Sequence, residues 1–244
     1  MKKKQHFNLE SFIGGFVLFC FSVPIIYLVI RMIFPSENLP RITADYLLML
    51  VQCILGVVAC FIPSIVEKRF KLEIPSFMTM CFLLFLYCAI FLGEVRYFYI
   101  NVKNWDTILH TLSGVMLGTL GFSFVNILND NKDATHLKLS PFFVAFFAFC
   151  FSVMLGTIWE VYEFAADELL GFNMQKFRLP DGTDLTGHAA IVDTMKDIIV
   201  DIVGTLVATT VGYISLKYKT GWVEKTFLKK SEKSDNDCKT KENK

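Results

Sequence analysis

Six runs of roughly twenty predominantly apolar residues, each bounded by polar stretches, constrain this 244-residue chain more than any other feature. A hydrocarbon layer about 30 Å thick is crossed by about twenty residues of α-helix. Only a helix or a closed barrel satisfies its own backbone polar groups there. The runs fall near residues 12–34, 46–66, 77–93, 105–128, 142–167 and 193–216. They predict an all-α fold, a polytopic membrane helix bundle whose partner is the lipid bilayer. Residues 1–216 are read as one six-helix transmembrane domain. Residues 217–244, rich in Lys and Asn, are read as a disordered polar cytoplasmic tail after an interfacial turn at Trp222. A mean hydropathy of +0.49 agrees with that class.

The flanks set the expected orientation. Lys2, Lys3 and Lys4 precede the first run, which is too long for a signal-peptide core and is read as a retained span with a tolerated Pro24. The N-terminus, the 67–76 and 129–140 connections and the tail carry Lys68, Arg69, Lys71, Lys132, Lys138, Lys217 and Lys219. The opposite connections carry only Arg41, Arg96, Lys103, Lys176 and Arg178. The positive-inside rule then puts both termini in the cytoplasm of a bacterial cell, with the plasma (inner) membrane as the location. The net charge of +1 and the lack of a basic stripe argue against nucleic acid as a partner. The cysteines lie mostly inside apolar runs and form no Cys-x-x-Cys, so they read as small packing residues.

Charge inside the spans is where function is expected. The sixth run carries Asp193, Asp197 and Asp201, which fall within an arc of roughly 80° on a helix. Gly204, Ala208 and Gly212 continue that face, and small residues mark where membrane helices approach one another. The fourth run opens with Asp106, His110 and Ser113 on one face, and the fifth closes with Glu160, Glu163 and Asp167 within roughly 60°, Gly156 on the same side. Counting about twenty residues from each cytoplasmic end places the outer hydrocarbon boundary near Leu109, Glu160 and Asp197. Three independent counts ending beside an acid or a histidine predict one shared site, roofed by the long 171–190 loop with its Pro180-Asp181-Gly182 turn.

Each candidate has a plainer use as well. Asp106 and Asp193 stand where a carboxylate also caps a helix N-terminus. Glu160 and Glu163 sit near a helix C-terminus, where negative charge is unfavourable, and Asp201 lies two turns inside its helix. Those three therefore point to function. Asp184 and His188 in the loop are weaker candidates, Lys196 is a pairing or snorkelling cation, and Glu94 beside Arg96 reads as an interfacial residue.

Carboxylates with one imidazole suit a divalent cation such as Mg, Ca, Mn or Zn, and Asp106, His110, Glu160, Glu163, Asp193, Asp197 and Asp201 form the candidate ligand set. The same residues suit proton sharing, or activation of water against a lipid-borne bond. Neither His-Glu-x-x-His nor an EF-hand loop, phosphate loop or nucleophile elbow is present.

The same residues carry a resemblance. The helix opening Trp105-Asp106 with His110 and Gly114, the Glu160/Glu163 pair, and Asp193-Thr194 with Lys196, Asp197 and Gly204 resemble the uncharacterised bacterial inner-membrane family typified by YjdF. The resemblance spans roughly residues 94–215. It departs where Gly187-His188 leads into the last motif and in the additional Asp201. The Asp-x-x-x-His opening is also similar to VanZ-like membrane proteins. The family implies a site and names no reaction.

Three functions are therefore carried forward. The first is a membrane protein with an outward-facing acidic/His site for a divalent cation or protons. The second is a metal-dependent membrane enzyme acting on a lipid or cell-wall precursor, with a lipid or an ion as ligand. The third is a structural or partner-binding protein whose acids anchor helix packing. The cytoplasmic halves of spans four to six are nearly free of charge, which counts against ion passage.

Overall fold

The computed structural model describes residues 9–34, 40–129, 139–179, 181–221, 223, 226 and 228–230. Lys2 to Lys4, the 35–39 connection, the 130–138 turn with Lys132 and Lys138, Pro180, Trp222 and the 231–244 tail lie outside them. Among the described residues, six helices are long and apolar enough to cross a membrane: Leu9–Ile33, Asp45–Phe70, Ser76–Val95, Trp105–Leu128, Pro141–Leu170 and His188–Tyr218. The fold is all-α. Large apolar side chains such as Phe19, Ile26, Phe146 and Val207 are exposed along these helices, as expected where lipid is the solvent.

The chain divides into two compact units, 1–101 and 102–244. In the first, α1 (Leu9–Ile33) runs uninterrupted through Pro24. The second span is built from α2 (Pro40–Cys60) and α3 (Ile62–Phe70). They break at Phe61, whose amide bonds the Val58 carbonyl at 3.1 Å in a tightened turn just ahead of Pro63. The third span starts as α4 (Ser76–Leu86) and ends as a π-helix, Tyr87–Val95. The wider turns are closed by the Arg96 amide reaching back to Phe91 O at 2.9 Å. Short α5 (Phe98–Asn101) follows, and the Tyr99 ring packs where Gly93 has no side chain. The interior of this unit is Val17, Phe21 and Leu83, with Ile13, Val57, Leu86, Tyr87 and Ile90 around them.

The second unit is three long helices, α6 (Trp105–Asn129), α7 (Pro141–Leu170) and α8 (His188–Tyr218). α7 starts as its sequence dictates: Ser140 Oγ accepts from the Phe143 amide at 3.2 Å and Pro141 occupies the first turn. It ends at Gly171, whose φ of 70° supplies the left-handed cap. α8 begins at His188, five residues ahead of the start at Asp193 read from hydropathy, so Asp193 lies inside the helix rather than at its cap. The five residues ahead of Asp193 are His188, Ala189, Ala190, Ile191 and Val192, and a helix is free to continue past the hydrocarbon once it has left it.

The three helices meet through small residues. A side chain on Gly204 would strike the Thr111 backbone, and one on Gly114 would strike the Asp201 carbonyl and Thr205. Gly118 faces Ala208, and Gly121 faces the backbone of Ala148. Farther along, Phe122, Ala145 and Ala148 form a buried apolar cluster, with the Phe122 ring lying where Gly212 leaves room. Absent side chains let the backbones approach closely, which is how helices associate where lipid removes the hydrophobic driving force.

Candidate functional site

The close approach at Gly114, Gly156 and Gly204 sets charged side chains from three helices against one another. Asp106 lies in the first turn of α6 and His110 one turn later on the same face, with Nε2 3.7 Å from Asp106 Oδ1. The other ring nitrogen, Nδ1, lies 3.2 Å from Asp201 Oδ2 on α8 and 3.9 Å from Glu160 Oε1 on α7. Ser113 Oγ donates to Asp201 Oδ1 at 2.6 Å and stands 2.7 Å from the His110 carbonyl. Gly156 leaves the space that Asp201 fills, since a side chain there would meet Oδ2 at 2.8 Å. Asp197, one turn before Asp201 on α8, joins Asp106 and His110. One ligand atom from each of these three lies within 4.8 Å of the others.

Burial makes the arrangement demanding. Glu160 is 3% exposed and Asp197 2%. Among the described residues, neither oxygen of Glu160 has a hydrogen-bond donor, and neither does Asp197 Oδ1. Buried carboxylate oxygens without donors are costly, and membrane interiors tolerate them where a counter-charge, a proton or a cation completes them. Asp106 is the more open member, with 22% of its side chain accessible.

The remaining candidates separate by what they touch. Glu163 is half-buried and accepts from Trp159 Nε1 at 2.9 Å, an i,i+4 pair along α7. Asp167 shares that helix face but serves the loop: its two oxygens accept the amides of Met174 at 2.7 Å and Gln175 at 2.9 Å. Gln175 Nε2 in turn donates to Thr194 Oγ1 on α8 at 2.8 Å, so the loop after α7 is tied to both helices. Asp193 is half-buried one turn before Asp197, and Lys196 is half-buried beside it. Asp184 is exposed and pairs with Arg178 Nε at 2.6 Å across an isolated bridge between loop strands. His188 stands in the exposed first turn of α8. Among the described residues, Glu163, Asp184, His188 and Asp193 stand outside the three-residue set with ligand atoms in mutual reach.

Two residues that the sequence reading does not single out continue the seam beneath Asp201. Ser152 Oγ lies 2.8 Å from Thr205 Oγ1, and both reach the Gly114 carbonyl, at 3.2 and 3.3 Å. The available signal was spacing: Ser152 lies four residues before Gly156, and Thr205 four after Asp201.

The matching family model is described as "Predicted membrane protein (DUF2238)" and covers residues 16–218. The chain belongs to this family. The matched region runs from within α1 to the end of α8 and contains Asp106, His110, Glu160, Asp197 and Asp201. A protein of Thermotoga maritima named "Uncharacterized protein" is 30% identical over 162 residues, covering 66% of this chain and 73% of that one. No solved structure matches the chain. Family membership establishes a membrane protein, and the chemistry has to come from the geometry.

Proposed function

We propose that this protein binds a divalent cation between α6 and α8, with Asp106, His110 and Asp197 as ligands and Glu160 adjoining them. The observation that carries the reading is that, among the described residues, both oxygens of buried Glu160 and Oδ1 of buried Asp197 lack a hydrogen-bond donor, beside a three-residue set with ligand atoms within 4.8 Å. Nitrogen and oxygen ligands about 2.0–2.6 Å from a cation stand at most roughly 4–5 Å apart across it, so this set closes around one ion without large movement. Two carboxylates and one imidazole favour Zn or Mn over Mg or Ca. Three protein ligands leave coordination positions for water or another ligand.

Asp193 and Glu163, on the same side as the set, are placed in its outer surroundings in this reading. The seam below the site favours residence over passage. Ser152, Thr205 and Thr209 are buried there, followed by the Phe122 cluster, so no further acid waits deeper along the helices. The wider reading is a multi-pass protein of the bacterial inner membrane with both termini cytoplasmic and the site near the outer boundary. It draws on the distribution of lysines and arginines and on the YjdF-type motifs. Protons are the second reading, since Glu160 would equally be stabilised by retaining one.

The test is thermal unfolding in mild detergent. A ligand bound only to the folded state raises the midpoint by mass action, so chelation is expected to lower it and added Mn or Zn to restore it. Asp197→Asn should abolish that sensitivity. A midpoint indifferent to chelator and to Mg, Ca, Mn and Zn would sink the cation reading and leave proton sharing.

A further inference from the structure

Resting on that cation reading, we infer that Asp201 is not a ligand but the residue that orients His110, committing Nε2 to the cation and Nδ1–H to the carboxylate. The sequence places Asp201 on one helical stripe with Asp193 and Asp197, where all three look alike. The structure separates them.

The imidazole has two nitrogens facing opposite ways. Nδ1 looks at Asp201 Oδ2 at 3.2 Å, the shortest charged contact of the ring, while Nε2 looks at Asp106, a member of the ligand set. A neutral imidazole carries one proton, and the stronger acceptor decides which nitrogen holds it. With Asp201 accepting from Nδ1–H, the lone pair stays on Nε2, the nitrogen that faces Asp106 of the ligand set.

Asp201 is itself held in place. Its Oδ1 accepts from Ser113 Oγ at 2.6 Å, and its Oδ2 lies against Gly156, which has no side chain to displace it. It is 4% exposed, and its own carbonyl lies against Gly114. A carboxylate held against two other helices is well placed to orient a ring and poorly placed to follow a cation. The arrangement is the carboxylate–histidine–metal relay in which an outer acid sets the tautomer and raises the basicity of the ligand nitrogen. Glu160 Oε1 faces the same Nδ1 at 3.9 Å, too far for a hydrogen bond, and so does not compete for that proton.

The experiment has two arms read on the full-length protein in detergent. In the first, the metal-free protein is labelled with 15N-histidine, and the His110 signals are identified by their loss in His110→Gln. With the ring neutral, the expected pattern is a protonated Nδ1 and a bare Nε2. In Asp201→Asn, whose amide can donate to Nδ1, the pattern should reverse. A bare Nδ1 in the wild type, or no reversal in the variant, overturns the assignment whether or not a cation binds.

In the second arm, Mn2+ affinity is measured by the electron paramagnetic resonance of the free ion. Loss of an outer partner is expected to weaken binding roughly 10- to 100-fold in Asp201→Asn. Asp106→Asn should remove binding altogether. Ser113→Ala, which leaves Asp201 in place but frees Oδ1, should weaken binding by a smaller factor and guards against a variant that fails to fold. Equal, complete loss in Asp201→Asn and Asp106→Asn, with Asp201→Asn still folded, would make Asp201 a ligand and overturn the inference. If wild-type protein takes up no Mn2+ or Zn2+, the cation reading fails, and the 15N arm still decides who orients the ring.

Discussion

The two units of the chain solve the same problem, holding helices together where lipid offers no hydrophobic gain, by opposite means. In the first unit, helices interlock through bulky side chains: Phe21 and Val17 against Leu83, Val57 and Ile90, with Tyr87 stacked on Phe91 at 5.4 Å. Its glycine at 56 faces the tips of side chains. In the second unit, Gly114 and Gly204 face backbone, and Ser113, Ser152 and Thr205 bond across helices. Close backbones leave little room for relaxation, and rigid surroundings are what a buried cluster of acids requires. The difference between the units is the difference between anchoring in lipid and positioning a site.

The harshest way to break that contrast is Gly204→Leu. Any side chain at 204 runs into the Thr111 carbonyl, so α6 and α8 must part. Overpacking against backbone is expected to cost about 3 kcal/mol or more and to remove the chelator response, because a shift near 1 Å disables a positioned site. A cysteine pair at Gly118→Cys and Ala208→Cys reports the separation. A side chain at 118 would lie 3.3 Å from Ala208 Cβ, close enough for a disulfide. Undiminished crosslinking with Leu at 204 would show that this face looks at lipid.

A milder change sharpens the comparison. Glu160→Gln replaces a buried carboxyl group whose oxygens have no donor among the described residues, a feature that the first unit's apolar core does not share. The metal-free protein should become more stable, by about 1–3 kcal/mol, since a neutral amide is cheaper to bury and can donate to a neighbouring carboxylate. Its thermal midpoint in chelator should therefore rise. A fall of similar size would mean that Glu160 is already satisfied, and the strain attributed to the cluster would be absent.

How much of this was legible in the sequence depends on the range of the contacts. Six apolar runs were enough for six helices, because membrane length is a local property. The i,i+4 placement of Asp106 with His110 was readable too, as was the small-residue stripe through Gly204 and Gly212. The start of α8 at His188 was not, because the length of hydrocarbon to be crossed fixes where a span enters the membrane and not where its helix begins. Glu160, Glu163 and Asp167 share a face, yet one meets the cluster, one bonds Trp159 and one holds the loop amides. The Glu163 pair follows i,i+4 spacing, but the role of Asp167 depends on the Met174 and Gln175 amides beyond the helix end, which spacing along α7 does not encode. The separate role of Asp201 was likewise hidden, since it rests on Ser113 and Gly156 from two other helices.

The smallest expected effect is the most direct comparison of the units, the same glycine-to-alanine change made once in each. At Gly56 the new methyl would meet Ile90 Cδ1 at 2.8 Å and the edge of the Phe21 ring at 3.0 Å. The isoleucine tip can turn aside, while alanine reduces the freedom of the unfolded chain by an amount equivalent to about 0.5–1 kcal/mol. Strain and entropy nearly cancel, so Gly56→Ala should shift stability by no more than about 1 kcal/mol in either direction. At Gly204 the identical methyl meets the Thr111 carbonyl, which belongs to the α6 backbone and cannot rotate away. Paired denaturation curves in one detergent check the contrast. Equal losses at 56 and 204 would show that the first unit is as tightly constrained as the second, and that close backbone packing does not distinguish the half of the chain that carries the site.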